Sequence, residues 1–337
     1  MSESVRVTVV VPTLNADSML AECLRSLERQ SFRAFEVIVV DNSGNKLVRS
    51  RKLEQLATAV IENDVNNGFG SAINQASAGS RAPFLATLND DAVAHPEWLA
   101  ALVSAMDDHP RAGSCASQVR LHSDGTIDST GMLIGGDGSS KQRGHRQPAS
   151  AFTRLESVLL ASGSAALYRR EMFDQIGGFD DDFFLYCEDT DLGLRALWAG
   201  WDCLYVPNAV VDHQYSQTAG RASALKAYYV ERNRIAVAVK NFPARMLFRA
   251  PFVAMARYYW HFVALVQGKG AAGEFHSSSN ALLLPWFVLR ANAAAFVRLP
   301  ALLRERARIR KHAHISPSEF CALAHANYIS ARQVASL

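Results

Sequence analysis

From Val5 to Val11 the chain is an almost unbroken β-branched run that stops at Pro12-Thr13-Leu14-Asn15. Met19, Leu20, Cys23, Leu24 and Leu27 then recur at helical spacing within Ala16 to Arg29. A run this apolar reads as a strand buried on both faces, and that requires covering layers on either side. The unit then repeats: a strand from Glu36 to Val40 ends at Asp41-Asn42-Ser43-Gly44, and Lys46 to Ala57 can form the next helix. Strands alternating with helices predict a parallel sheet with right-handed crossovers, and such sheets bind ligands at the carboxyl ends of their strands. Asn15, Asp41 and Asp91 are therefore expected on one edge.

Asp91 enters through a third strand, Pro83 to Leu88, which delivers Asn89-Asp90-Asp91. Acid groups on a rigid strand end suit a hard divalent cation bridging to a diphosphate, although such a triplet taken alone reads equally as a turn. A second acid cluster, Glu188-Asp189-Thr190-Asp191, stands between the aromatic run from Phe183 and a helix continuing to Trp198. Helix starts favour acids, so capping alone accounts for Asp191 and serves for Glu188. Asn67-Gly68-Phe69-Gly70 precedes a helical stretch from Ser71 to Ala78, and its glycines permit a tight turn near a ligand or a plain capping loop. His213 follows an apolar strand at Cys203 to Val206. The glycine-rich stretch Gly135 to Gly144 lacks the order of a phosphate loop and reads as a flexible loop.

Five segments in sequence order resemble the inverting nucleotide-sugar glycosyltransferases of family 2, which have the GT-A fold. They are Val9 to Asn15, Val39 to Ser43, Asn67 to Gly70 with Asn74, Leu88 to Asp91, and Gly177-Gly178-Phe179-Asp180 running into Phe184 to Leu192. The likeness covers about residues 5 to 240 and is closest to the bacterial rhamnosyltransferase-like branch. The fold this implies is α/β: a Rossmann-like, mixed but mostly parallel sheet flanked by helices, with a C-terminal helical region. Residues 1–243 would form the catalytic domain and 244–337 a helical, membrane-associating region.

The resemblance implies roles residue by residue. Pro12, Thr13, Asn15, Asp41, Asn67, Gly68, Phe69, Asn74, Asn89 and Asp90 would bind the donor nucleotide, with Asp41 accepting from the imide N–H of a uracil or thymine ring. Asp91 and His213 would hold Mg2+ or Mn2+; Asn89 stands where the family often has the first acid of its Asp-x-Asp signature, which shifts the metal-binding burden to Asp91. Asp189 would be the general base. Gly163, Glu188 and Arg232 would serve the acceptor or its diphosphate, Arg232 lying in a Tyr-Tyr-x-x-Arg-Asn-Arg segment that begins at Tyr228. The activity implied is metal-dependent, inverting transfer of a sugar, with rhamnose from dTDP-rhamnose the leading choice and UDP-sugars next. The acceptor would be a lipid-linked glycan or polysaccharide in cell-surface glycan synthesis, at the cytoplasmic face of the membrane. Two other classes stay open. One is a non-catalytic sugar-nucleotide-binding scaffold, against which Asp91 and Asp189 stand. The other is a nucleotidyltransferase, which would carry a Lys/Arg-bearing glycine loop after the first strand, where this chain has Pro12-Thr13-Leu14-Asn15.

With 337 residues, 49% of them hydrophobic and 20% charged, the chain can bury a full α/β core and carry an appendage. Five scattered cysteines give neither a CxxC metal pattern nor a paired framework, and a polar Met1-Ser2-Glu3-Ser4 leads straight into a strand, with no secretory signal. A net charge of +3 is too small to point to nucleic acid. After Phe242-Pro243 the chain becomes rich in Ala, Leu, Phe, Trp and Arg, with breaks expected near Gly268 and Pro285. Arg249, Arg257 and Arg290 interrupt each apolar stretch before the roughly 20 residues a bilayer crossing needs. The basic run from Arg304 to His312 comes next. Two readings fit this pattern: amphipathic helices lying on an anionic membrane surface, or a packed subdomain that can also form a homo-oligomer interface.

Overall fold

The computed structural model describes residues 4–214, 224–267 and 284–336. Its strands are β1 (Val7–Thr13), β2 (Phe35–Asp41), β3 (Ala59–Glu62), β4 (Phe84–Leu88), β5 (Ala92–Ala94), β6 (Ala112–Leu121), β7 (Ile127–Ser129), β8 (Met132–Gly135), β9 (Ser140–Gln142), β10 (Glu156–Val158), β11 (Ala165–Arg169), β12 (Asp202–His213) and β13 (Tyr328–Ile329). Its first helices are α1 (Ser18–Glu28), α2 (Leu47–Ser50), α3 (Phe69–Gly79), α4 (Trp98–Asp108), α5 (Arg170–Ile176), α6 (Glu188–Trp198), α7 (Ala224–Asn241) and α8 (Ala244–Val266). The chain divides into two compact units, the first made of Met1–Gly131, Gln142–Phe184 and Trp201–Tyr215.

That first unit is built on one large sheet with the order β10-β12-β6-β11-β4-β1-β2-β3, to which β5 and β7 add at β12 and β6. β1 pairs in parallel with both β2 and β4, and β2 with β3, while β11 enters antiparallel between β4 and β6. The sheet is mixed and mostly parallel on the side that carries the first strands, as the alternating pattern predicts. Val7, Val9 and Val11 of β1 and Val37 and Val39 of β2 join Leu20, Leu24 and Leu27 of α1 in the core, so the β-branched run is buried because helices cover it. Asp17 caps α1 by accepting from the Met19 N–H at 2.9 Å.

Two elements differ from the sequence expectation. In place of a helix from Lys46 to Ala57 there is the single turn α2 and a 3-10 turn at Glu54–Leu56. Lys46 and Lys52 adopt positive φ, and the Asp41 carboxylate binds the N–H groups of Ser43 and Val48, so this segment is organised around the end of β2 rather than along its own helix. The strand expected at Cys203 to Val206 extends instead to His213, because a register shift between Val206 and Val210 absorbs Pro207. That extension places His213 on a sheet strand.

The second unit comprises Met132–Lys141, Leu185–Gly200 and Ser216–Leu337. It holds α6, α7 and α8, the later helices Leu284–Val297, Leu299–Lys311 and Pro317–Ala326, and a small sheet of order β13-β8-β9. Pro285 falls in the first turn of its helix, where proline is tolerated, whereas the break expected near Gly268 lies outside the described residues. Buried charge organises this unit. Asp191 is fully buried and accepts from Arg195 Nε at 2.7 Å, Lys240 Nζ at 2.8 Å and Asn241 Nδ2 at 2.9 Å. A second network joins Asp137 and Glu231 to Arg257, Arg234 and Tyr258. Asp137 sits at the turn between β8 and β9, so Gly135 to Ser139 is a pinned hairpin turn and not the flexible loop its composition suggests. Gly138 has a φ of +89°, and a Cβ there would run into the carbonyl oxygen of Arg234. Trp198 stacks on Phe320 with ring centroids 4.6 Å apart, and the Arg310 guanidinium lies 3.4 Å from the Trp198 ring centre.

These networks give stability a defined acid limb. Burial by itself would raise the Asp191 carboxyl, but Lys240 and Arg195 hold it at about 2; Glu231 is likewise held at about 2, by Arg234 and Arg257 against burial. A carboxylate whose folded pKa is depressed stabilises fully above its ordinary value near ~4 and loses that contribution as pH falls toward its folded value. The thermal midpoint should therefore hold down to about pH 4 and drop steeply between about pH 4 and 2. A midpoint flat across that window would contradict the buried pairing.

Candidate active site

β1, β2 and β4 run parallel, with Thr13 in register with Asp41, so their carboxyl ends share one edge of the sheet. There Thr13 Oγ1 donates to Asp90 Oδ2 at 2.6 Å and accepts from the Ala16 N–H, tying the Pro12-Thr13-Leu14-Asn15 loop to the acid triplet. Burial, with Asp91 adjoining, raises Asp90 to about 6 despite that bond. Asn15 is exposed at the loop tip, and Pro12 is half-buried within β1. Both Asp41 oxygens accept backbone N–H groups of their own loop, at 2.9 and 2.8 Å, and Asp41 is only 1% exposed. Gly163 is buried in the turn before β11, beside Ser164, whose carbonyl accepts from the Asn89 N–H at 2.9 Å.

His213 faces this edge from the end of β12. Its Nε2 lies 3.0 Å from Asp91 Oδ1 and 3.3 Å from Asn89 Nδ2, and its Nδ1 lies 3.0 Å from Asp128 Oδ2. Burial opposes charge on the ring, but the bonds to Asp128 and Asp91 outweigh it and lift His213 to about 10. Asp128, also beside His145, is held at about 2 against burial. The donor set suits a divalent cation, which on binding would displace the Nε2 proton of His213. One carboxylate oxygen and one imidazole nitrogen stand side by side, and Asp128 on the far nitrogen is the carboxylate partner that metal-bound histidines usually have. Among the described residues no group of three or more His, Cys, Asp or Glu is arranged to enclose an ion, so the protein could supply Asp91 and His213 and leave the remaining positions to substrate oxygens and water. Asp128 was not foreseen from sequence. It lies 85 residues from His213, and only the pairing of β7 with β6 and of β6 with β12 brings the two together.

The other glycine-bearing motifs interlock within the same unit. Gly68 has a φ of +85° and no room for a Cβ against the Phe184 carbonyl, which also accepts from the Phe69 N–H at 3.0 Å. Asn42 Nδ2 donates to Gly68 O. Asn74 receives the Phe179 N–H at 3.0 Å and donates to Phe179 O at 2.8 Å and Asp181 Oδ1 at 2.9 Å. The Asn74 amide thus joins α3 to the Gly177-Gly178-Phe179 turn, with Phe69 edge-on to Phe179. Asn67, just before this clamp, is half-buried.

The second acid cluster opens α6. Phe184, Tyr186 and Cys187 all have φ between 62° and 68°, unusual for side chains of this size. Asn233 of α7 holds the turn, donating through Nδ2 to Leu185 O at 2.9 Å and Tyr186 O at 2.7 Å. This role of the Arg-Asn-Arg segment is not readable from sequence. Arg234 belongs to the buried network, and Arg232 bonds Asn233 Oδ1 while its guanidinium lies 4.8 Å from the Tyr229 ring centre. Burial and the Arg298 charge lower the Arg232 pKa. Glu188 is 8% exposed, and its Oε2 has no hydrogen-bond partner among the described residues. Burial and the Asp189 charge push it to about 8, so it keeps its proton at neutral pH. Asp189 is half-exposed, with Oδ1 accepting from the Thr190 N–H at 2.6 Å.

The chain has the GT-A fold of glycosyltransferases, a mixed, mostly parallel sheet flanked by helices, here with acids at the ends of its parallel strands. The family described as "Glycosyl transferase family 2" matches residues 8–177, and the chain belongs to it. The N-acetylglucosaminyl-diphospho-decaprenol L-rhamnosyltransferase of Mycobacterium tuberculosis is 31% identical over 66% of this chain and 80% of its own length. The O-antigen chain rhamnosyltransferase WbaN of Salmonella anatum is 24% identical over 63% of this chain and 67% of its own. The protein is a family 2 glycosyltransferase related to rhamnosyltransferases. Among solved structures, GalNAc-T7 with UDP, GalNAc and Mn2+ superposes with a TM-score of 0.60 at 15% identity, over 87% of this chain and 55% of that one. The mannosyltransferase PcManGT of Pyrobaculum calidifontis, with GDP-Man and Mn2+, gives 0.51 at 18% identity over 88% of each chain. At these identities the likeness is one of fold.

Proposed function

We propose that this enzyme transfers rhamnose from dTDP-rhamnose, with inversion, to a prenyl-diphosphate-linked glycan or a growing polysaccharide in cell-surface glycan synthesis. The observation that carries the reading is the set of Asp91, His213 and Asp128 at the carboxyl edge of β4 and β12, with its carboxylate and imidazole donors side by side. Asp91 and His213 would hold Mg2+ or Mn2+, which when bound supplies positive charge to the donor's diphosphate. Asp128 keeps the His213 ring oriented, and Thr13 keeps Asp90 in place. Asp189 is assigned as the base that takes the proton of the acceptor hydroxyl while its oxygen bonds to the anomeric carbon and the bond to the diphosphate breaks. One displacement gives inversion. Glu188, neutral at pH 7, has a proton to offer to an acceptor oxygen, and Arg232 provides a cation suited to a diphosphate. The resemblance to the mycobacterial and Salmonella rhamnosyltransferases supports the choice of donor sugar and of a lipid-linked acceptor.

Thermal shift of the purified protein against dTDP-rhamnose, UDP-glucose, UDP-N-acetylglucosamine and GDP-mannose, with and without Mn2+, tests the donor. A ligand at a hundred times its Kd stabilises by about 2.7 kcal/mol, which is easily read. The largest shift should come from dTDP-rhamnose and should require the metal. A response to GDP-mannose alone would overturn the assignment.

A further inference from the structure

One face of α8 is apolar and exposed along the helix. Phe248, Phe252, Met255, Tyr259, Phe262 and Val266 are each between 60% and 76% exposed and are spaced by alternating steps of four and three residues. At about 100° per residue this spacing keeps all six within one stripe roughly 27 Å long. Soluble surfaces rarely carry so continuous a patch. The opposite face is buried at Ala250, Ala254 and Ala264, with Arg257 engaged by Asp137 and Glu231. Arg245 and Arg249 are exposed and, by the same geometry, line one flank of the stripe.

We infer that this face of α8 lies in the headgroup region of an anionic lipid bilayer, parallel to its surface. Charge complementarity selects that occupant. Neither α8 nor the helix Leu284–Val297 contains an Asp or Glu, while Arg245, Arg249 and Arg290 are exposed on them. A second copy would bring uncompensated arginines together across a two-fold seam, whereas anionic headgroups neutralise them. The side chains fit that occupant: Phe248, Phe252 and Phe262 suit the immersed face of a surface helix, and Tyr259 is of the type enriched where hydrocarbon meets headgroups. Leu284–Val297 also exposes Trp286, Leu289 and Phe296. No single helix among the described residues is long and apolar enough to cross a membrane, which fits a helix lying in the surface plane.

Co-sedimentation of the full-length protein with vesicles tests the inference. Vesicles of 70:30 phosphatidylcholine and phosphatidylglycerol, in roughly those proportions, should pellet the protein, and pure phosphatidylcholine should pellet far less. Salt at about 0.5 M should weaken binding, because surface attraction is screened. The double variant Phe252→Ser, Phe262→Ser should lose about tenfold or more in vesicle affinity, and Arg245→Gln with Arg249→Gln roughly fivefold for each arginine. All four sites are exposed, so unchanged melting of the variants separates lost binding from lost folding. Wild-type protein that does not bind anionic vesicles, or a Phe variant that binds as wild type does, would overturn it. So would a lipid-free dimer by light scattering that the Phe variant converts to monomer without a change in vesicle binding; that result gives the face to a second copy.

Discussion

Replacing Asp189 by Asn should lower turnover on the order of a hundred-fold or more while leaving donor affinity unchanged. The substitution is structurally mild. Asp189 Oδ1 accepts from the Thr190 N–H, and an Asn oxygen keeps that bond. What it loses is the negative charge near the start of α6, a change of about 0.3–1 kcal/mol through the helix dipole, and the basic lone pair. If Asp189 only supported the helix, rate and stability would both stay near wild type. Glu188→Gln is the informative control, since a carboxyl held at about 8 is already neutral at pH 7 and cannot serve as the base there. Its rate at neutral pH should fall far less than that of Asp189→Asn. Turnover and calorimetric donor binding on both variants separate the possibilities, and a larger loss for Glu188→Gln would move the base to Glu188.

Much of the fold was legible because it rests on local pattern. The β-branched run of β1, the helical spacing in α1 and the Asx-bearing strand ends fix alternating elements, and alternation with buried strands leaves few arrangements other than a covered parallel sheet. The segment after β2 was misread because apolar spacing is blind to a carboxylate that captures backbone N–H groups, which is what Asp41 does at Ser43 and Val48. The extent of β12 was missed because Pro207 argues for an end, and only the register shift lets pairing continue to His213. At the candidate site the acids could be named from the resemblance, but their partners could not. Asp128 meets His213 through sheet pairing, Asn74 grips Phe179 across 105 residues, and Asn233 holds a turn of positive φ whose side chains carry no sign of it. Composition misled at Gly135 to Ser139, since glycines that suggest mobility are there to let Asp137 and the Arg234 backbone pack closely.

Asp91→Ala should abolish sugar transfer and the metal-dependent part of nucleotide binding, because it removes the carboxylate beside His213 Nε2. The fold should persist: Asp91 carries its turn through its carbonyl, which accepts from the Gln214 N–H, and Asp128 still holds His213. Metal-dependent nucleotide binding that survives in Asp91→Ala, with the protein folded, would sink the assignment. Asn89→Asp carries the test in the other direction. Asn89 Nδ2 lies 3.3 Å from His213 Nε2, so an acid there would add a second carboxylate to the Asp91 and His213 pair proposed to hold the ion. Mn2+ affinity measured by calorimetry should rise, since oxygen donors and negative charge set affinity for hard cations. A weaker response to Mn2+ in Asn89→Asp, with Asp91→Ala still inactive, would mean that Asn89 faces the nucleotide and that Asp91 with His213 completes the protein's share of the ligands.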